Sequence, residues 1–434
     1  MCIRDRPSTY ITRTPSSTGN QKTFTLSFWW KTTPDGQDKC LFSSGLNSSN
    51  YFMVRTTGAE TLQILTKDNG TTGINYQSSQ SFRDANAWYH IVLTIDTTQS
   101  SGDRVKYYVN GERVTSFLAT TEPSASANIL YVNDTTAHAW GRKNVTSDKY
   151  LNGSLSHVHF IDGTAYDASA FGSTDSTTGE WKINTSPSVT YGTNGYFILK
   201  DGNSVTDQSG NSNNFTVTGG TLTKTEDNPS NVFCTANPLS KMSGVALTNG
   251  NTTVRKDTSG NSHSLGTIAF GNGKYYFEGY RHGGGYDGIG ICLASADGTT
   301  DNSVASSRVL YYEDGQIMCD ALSNQSNIST GVSYADTDII SVSFDTENGV
   351  LKFYKNDTLV SNSTITNSSF EFANNLWVPH TYQSNGGEWR LNFGNGYFGT
   401  TAVSSAGTNA SGNGIFEYDV PTGFTALSTK GLNE

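Results

Sequence analysis

The stretch that most constrains the fold is Trp88 to Val114, WYHIVLTIDTTQSSGDRVKYYVNGERV. Ile91, Leu93 and Ile95 point one way in a period-two run while His90, Val92 and Thr94 point the other, which predicts a strand with one greasier face. After a polar loop from Thr97 to Asp103, Val105, Tyr107 and Val109 alternate against Lys106, Tyr108 and Asn110. Asn110-Gly111 then turns the chain, because both residue types tolerate the positive φ of a hairpin turn. The second half repeats the plan from Ile339 to Asn356: Ile340, Val342 and Phe344 alternate, Asn348-Gly349 turns, and Leu351 and Phe353 return. Two such centres predict two β domains.

A chain of 434 residues has room for two or three domains, each with its own core. Hydrophobic residues make up 34% and charged residues 15%, so Ser, Thr, Asn and Gly fill the balance. The 45 glycines and 12% aromatics fit many short strands joined by many turns. No long run carries a helical apolar period, so the expected class is all-β, as two tandem β-sandwich (jelly-roll-like) domains. A formal net charge of −10 argues against nucleic acid as a partner, since phosphate binding needs clustered Lys and Arg. No apolar run is long enough to span a membrane as a helix, so no membrane partner is expected. The five cysteines (Cys2, Cys40, Cys234, Cys292, Cys319) are scattered without metal-type spacing. They predict no disulfide scaffold, which suits folding in a reducing cytoplasm.

Residues 1–6, MCIRDR, lack the apolar core of a signal peptide and read as a non-native leader. Residues 7–183 form the expected first unit, with FTLSFWWK, KCLFSSG, YFMVRTTG and TLQILTKDNG as strands before the Trp88 hairpin and SLSHVHFIDG after it. Residues 184–240 read as a structured connector in which GYFILKDG and NFTVTGG flank the Asx-rich DQSGNSNN. Residues 241–428 form the second unit, and residues 429–434 a tail expected to be truncated. Its strands include KYYFEGY, GIGIC, RVLYYEDGQI, LWVPHTY and WRLNFGNGYF, the short regular spacing of a sandwich.

The order FTLSFWWK, WYHIVLTIDT, YVNGERV and LNGSLSHVHFIDG resembles a laminin-G-like, concanavalin A-type jelly roll. KYYFEGY, GIGIC, DIISVSFDTENGVLKFYKN, LWVPHTY and WRLNFG, in that order, resemble a SPRY domain. The tandem, joined through FIDGTAYDASAFGSTDSTTGEWK and DNPSNVFCTANPL, resembles tail-fibre-like proteins of tailed bacteriophages. The closing YDVPTGFTALSTKGLNE is similar to an internal junction of such proteins. The resemblance implies a non-enzymatic virion protein, assembled in the host cytoplasm and then extracellular. Its implied partners are a host surface glycan or protein and other virion tail proteins, with a homo-oligomer as a further expectation. A secreted bacterial adhesin with the same modules, and a glycan-active enzyme or its carbohydrate-binding module, are the competing readings.

Candidate chemistry is sparse. Concanavalin A-type glycosidases need two carboxylates about 5 Å apart, and no E-x-D-x-x-E strand motif occurs. Asp345 and Glu347 lead into the Asn348-Gly349 turn and read as turn polarity. His157 and His159 share a strand face at a chelating spacing, yet their neighbours supply no clear third ligand. DQSGNSNN lacks the carboxylate density of a calcium loop and reads as Asx side chains closing local turns. No cofactor is expected, except that laminin-G-like domains in many cases bind calcium at a sandwich rim, which leaves Asp96 and Asp103 as weak calcium candidates. The favoured ligand-binding residues are Arg281, His282, Tyr286 and Asp287 in RHGGGYDG, read as exposed because so rich in glycine, with Tyr382 and Asn385 in HTYQSNGGE. Aromatic faces flanked by Asp, Asn and Arg suit a sugar ring or a peptide. The alternative is that these tyrosines cover the sandwich ends.

Overall fold

In the computed structural model, the Trp88–Asp96 strand lies inside a sheet, antiparallel to Thr23–Thr32 on one side and Val105–Val109 on the other. Its alternation is realised residue by residue: Ile91 sits between Phe28 and Val109, Leu93 between Leu26 and Tyr107, and Ile95 between Phe24 and Val105. All nine side chains are buried in one core. The structure describes residues 2–3, 9–200, 204–322, 326–366, 372 and 374–433. Over these it is nearly all-β, as expected.

The chain divides into a first unit, Met1–Lys224 with Asn228–Ser230, and a second, Thr225–Asp227 with Asn231–Glu434. In the first unit the opposing sheet runs in the order Phe117–Thr121, Thr71–Ser81, Thr61–Asp68, Asn50–Thr56, Lys39–Asn47, His138–Trp140, Tyr10–Arg13, Thr216–Thr218. Phe42, Phe52, Val54, Ile64 and Trp140 from this sheet meet the first sheet's Phe24 and Phe28. Edge-to-face pairs such as Phe28–Trp140, with ring centroids 5.1 Å apart, fix the layers in register beyond what area burial alone would do.

The outer face of the Trp88 strand is also dry. Val92 packs under Phe171 and Trp181, which flank and belong to a small hairpin of Gly172–Thr174 with Trp181–Ile183. The residues read as a connector divide between the units: those up to Lys224 are built into the first unit's two sheets, and Asn231 onward belongs to the second unit. Tyr196–Ile198 pairs with Val158–Phe160, and Thr216–Thr218 pairs with Tyr10–Thr12. Tyr196, Ile198 and Phe215 all join the first core. Of the leader, Cys2–Ile3 pairs with Gly153–Ser154, and residues 1 and 4–6 lie outside the described residues.

The second unit is again two antiparallel sheets around one core. One runs Ala236–Lys241, Asn261–Gly266, Trp377–Ser384, Gly288–Leu293, Arg308–Tyr312, Gln316–Met318, Ile328–Ser329. The other contains Glu388–Asn392, Lys274–His282, Ile339–Asp345 and Val350–Lys355 in its centre. Ile340, Val342, Phe344, Leu351 and Phe353, with Trp389 from the same sheet, share this core with Ile289, Ile291 and Trp377 from the opposing sheet. Asp345 closes the hairpin turn: its carboxylate accepts from the Asn348 backbone at 3.0 Å and side chain at 2.8 Å, and Gly349 takes φ +64. The last segment folds back, with Thr425–Ala426 parallel to Tyr275–Tyr276 and Phe416, Val420 and Ala426 packed on Tyr276. Cys40, Cys234, Cys292 and Cys319 are buried.

Candidate functional site

The six residues predicted to bind ligand do converge in space at the RHGGGYDG turn, but not on a common surface. Arg281 and His282 end the Lys274–His282 strand, and Tyr382 lies within the Trp377–Ser384 strand rather than in a loop. Arg281, Asp287 and Tyr382 are buried; His282 and Asn385 are exposed, and Tyr286 is half-buried. The expectation that all six are presented to a ligand is therefore corrected for Arg281, Asp287 and Tyr382. Glycine here marks close approach of two loops rather than exposure. A side chain at Gly285 would collide with the Ser384 carbonyl, and one at Gly387 with the Asp287 carboxylate. These glycines permit two loops to close on each other, which is burial rather than exposure.

Arg281 is the hub of that closure. Its Nη1 lies 2.9 Å from Asp336, its Nη2 donates to the Gly285 carbonyl at 2.9 Å and pairs with Glu313, and its Nε is 3.3 Å from Asp287 Oδ2. The last contact is close but not aligned as a hydrogen bond. One guanidinium thus faces three carboxylates. Burial pushes the Asp287 carboxyl up to about 7, against the lowering pull of Arg281, and burial also raises Glu313. Glu313 and Asp336 had no signal in the sequence, since only the fold brings them to Arg281.

Next to this cluster, three tyrosines form one aromatic body. Tyr286 stacks on Tyr312 at 4.8 Å, while Tyr382 meets both edge-on at 6.2 and 5.2 Å. The Tyr286 hydroxyl donates to Asp314 at 3.0 Å, and its backbone N–H donates to Ser384 Oγ at 2.8 Å. Tyr312 is buried and was not singled out from its strand run. What reaches solvent is His282, part of the Tyr286 ring and Asn385, whose Oδ1 accepts from the Gly260 N–H at 3.2 Å.

The remaining candidates resolve into structural roles. His157 takes φ +47 at a bulge in the Gly153–Asp162 strand, so the bulge interrupts the shared face expected for His157 and His159. His159 is buried against Phe197 at 4.0 Å, and its Nδ1 bonds the Tyr191 hydroxyl. His90 is sandwiched between Trp29 and Trp181 at 4.9 and 5.9 Å. The Trp181 indole can only donate, so His90 Nδ1 accepts at 2.9 Å, leaving Nε2–H for Ser27 Oγ at 2.9 Å. Burial lowers this imidazole to about 3, so it stays neutral.

Asp96 accepts from Thr98 and Gln99 in its own turn, and Asp103 pairs with Arg113 at 3.0 Å and Lys106 at 3.6 Å. The two calcium candidates are thus turned to separate tasks. Asp207 in DQSGNSNN accepts from the backbone of Phe197, Ser209 and Asn213 and from Ser209 Oγ, as an Asx loop closure does. Among the described residues no cluster of three or more His, Cys, Asp or Glu side chains could hold a metal. One buried acid escaped the sequence reading. Glu278, on the outer face of the Lys274–His282 strand, accepts from the Tyr276 hydroxyl, Asn392 Nδ2 and the backbone N–H groups of Glu417 and Tyr418, all at 3.0–3.1 Å. Burial raises it to about 7 despite these four donors.

A laminin-G-type family model of the concanavalin A-like lectin/glucanases superfamily matches residues 5–169. No match is found among curated proteins. Similar solved structures include a native heptameric SAP-like pentraxin from Limulus polyphemus, 13% identical with TM-score 0.28, over 37% of this chain and 73% of that one. They also include the SPRY domain of human HERC1, 16% identical with TM-score 0.27, over 36% and 96%. The PSpry domain of TRIM65 is 16% identical with TM-score 0.29, over 37% and 91%. At these scores none of the three carries an argument about function. The family match and the paired sheets give the first unit a jelly-roll, lectin-like fold.

Proposed function

We propose that the chain is a non-enzymatic structural and adhesive protein of a phage tail fibre or related virion appendage. In this reading it binds a host surface glycan or protein through loops at the sandwich ends and contacts other tail proteins. The observation that carries the reading is the lectin-type sandwich of the first unit, matched over residues 5–169. The proposal gains support from how the acids are used: Asp345 closes a turn, Glu278 anchors a backbone segment, and Glu313 and Asp336 pair with Arg281. Rigid sheets hold exposed loop groups in place while tolerating variation in them. Repetition around a homo-oligomer would multiply weak single contacts through effective concentration.

In the second unit, the surface contact group is His282, Tyr286 and Asn385, with Arg281, Asp287, Tyr312 and Tyr382 as the support beneath them. The test is capture of a panel of bacterial cells by the purified chain and by Tyr286→Ala. Retained cell capture in Tyr286→Ala would remove this rim from the binding surface. Breakdown of an extracted surface polysaccharide by the wild-type chain, lost on changing one carboxylate, would overturn the non-enzymatic reading.

A further inference from the structure

The first unit carries a cleft that none of the predicted site residues touches. Its floor is the end of the Thr61–Asp68 strand with the start of Thr71–Ser81, and its wall is the segment from Thr121 to Tyr131. The open volume is about 290 Å³. That is near the lower end of the roughly 300–1,000 Å³ typical of small-ligand sites, room for about one or two pyranose rings.

The wall is held from behind. The Ser126 N–H donates to the Thr97 carbonyl at 2.7 Å and the Ile129 N–H to the Gln21 carbonyl at 2.9 Å. Glu122 accepts from Ser101 Oγ at 2.7 Å and the Gly102 N–H at 2.8 Å, and Arg104 binds the Pro123 carbonyl at 3.1 Å. A wall fixed in this way loses little further freedom when a ligand arrives. Tyr131 at its end takes φ +68, a left-handed backbone that is an outlier for a bulky residue. Its hydroxyl is pinned there, donating to Asp68 at 2.8 Å and lying 3.0 Å from Asn50 Oδ1. Backbone strain of this kind persists where the surroundings over-determine a conformation, and it concentrates at ligand sites.

The lining chemistry is mixed. Leu130 (38% exposed) and the Tyr131 ring offer apolar faces. Lys67 uses bonds to Thr72 Oγ1 at 2.7 Å and the Gly70 carbonyl at 3.2 Å, which leaves its third N–H available. Asp68 takes the Tyr131 hydroxyl and the Asn69 side-chain amide on Oδ1, and Asp68 and Asn128 are both exposed. An ammonium, a carboxylate and an amide around an apolar face match the vicinal hydroxyls and C–H face of a sugar ring. The opposite charges of Lys67 and Asp68, with the lining Glu122 already paired to Arg104 at 3.3 Å, disfavour a strongly ionic ligand.

We infer that this cleft is a metal-independent binding site for a neutral saccharide, with Tyr131 and Leu130 under the ring and Lys67, Asp68 and Asn128 on its hydroxyls. The inference rests on the adhesive reading above and names one ligand class for it. The experiment is binding of the full chain, with chelator present, to an array of neutral oligosaccharides and bacterial polysaccharides, alongside capture of the cell panel. Hits are then titrated in solution. Wild type should bind at least one neutral saccharide. Asn128→Ala, an exposed loop change, should weaken it about fivefold, the effect of one lost neutral hydrogen bond. Tyr131→Ala should weaken it about tenfold or more.

Affinity within about twofold of wild type in both variants, each with an unchanged thermal midpoint, would overturn the site. Cell capture without any saccharide binding would overturn it too while leaving the adhesive reading standing. Loss of both cell capture and saccharide binding in the wild type would bring down both.

Discussion

Glutamine in place of Glu278 tests how the second unit holds its last segment. Each carboxylate oxygen accepts two bonds: Oε1 from the Tyr276 hydroxyl and the Tyr418 N–H, Oε2 from Asn392 Nδ2 and the Glu417 N–H. In Glu278→Gln one oxygen becomes an NH₂ that can only donate, so two buried donors face another donor. Each orphaned donor costs about 1–3 kcal/mol, which for two gives a loss of about 2–6 kcal/mol in the segment's local stability. The wild type also carries a pH term that the amide lacks. A carboxyl raised from 4.5 to about 7 binds its proton more tightly when folded. Its stabilisation is full below about 4.5 and is lost as the pH rises through about 7, a swing of roughly 3 kcal/mol. The gap between wild type and variant should therefore narrow from acid to alkaline pH. Hydrogen exchange, corrected for intrinsic rates and read at the Glu417 and Tyr418 amides between about pH 4.5 and 8, measures both quantities. Equal protection in the two proteins at neutral pH, or parallel pH profiles, would refute the account.

Three further outcomes are expected. His90 and His138 are buried and lowered to about 3, so the first unit should lose stability as the pH falls from 6.5 towards 3. The loss at about pH 5 is roughly 2 kcal/mol per histidine, checked by urea unfolding followed at first-unit amides; a flat profile would show these rings to be protonated in the fold. Gly111→Ala places a methyl group against the Trp181 ring at φ +85 and should cost about 2–4 kcal/mol, read by loss of protection across the Trp181–Ile183 strand. Chelator should leave the thermal midpoint of the chain unchanged, and a calcium-dependent rise would return Asp96 and Asp103 to consideration as ligands.

Much of the fold was legible because one face of each central strand is apolar. Ile91, Leu93 and Ile95, and again Ile340, Val342 and Phe344, fall inside their cores as their alternation requires. Legibility failed where both faces are covered. Every residue of Trp377–Ser384 is buried, so the strand shows no period-two pattern and its last residues passed for loop. The site was harder still. Arg281, Asp287, Glu313 and Asp336 meet only through the fold, and the glycines beside them mark close approach, which sequence alone does not distinguish from exposure. The cleft under Tyr131 left no motif at all, because its two sides are separated by the whole Trp88 hairpin.

The strands at Tyr196–Ile198 and Thr216–Thr218 matter to anyone moving the lectin-like module between proteins. The family match ends at residue 169, yet these strands cover the Val158–Phe160 flank of one sheet and the Tyr10–Thr12 flank of the other. A transplant cut at residue 169 would carry two raw β edges, each a template for joining another chain. The smallest portable piece of this molecule extends to about Lys224.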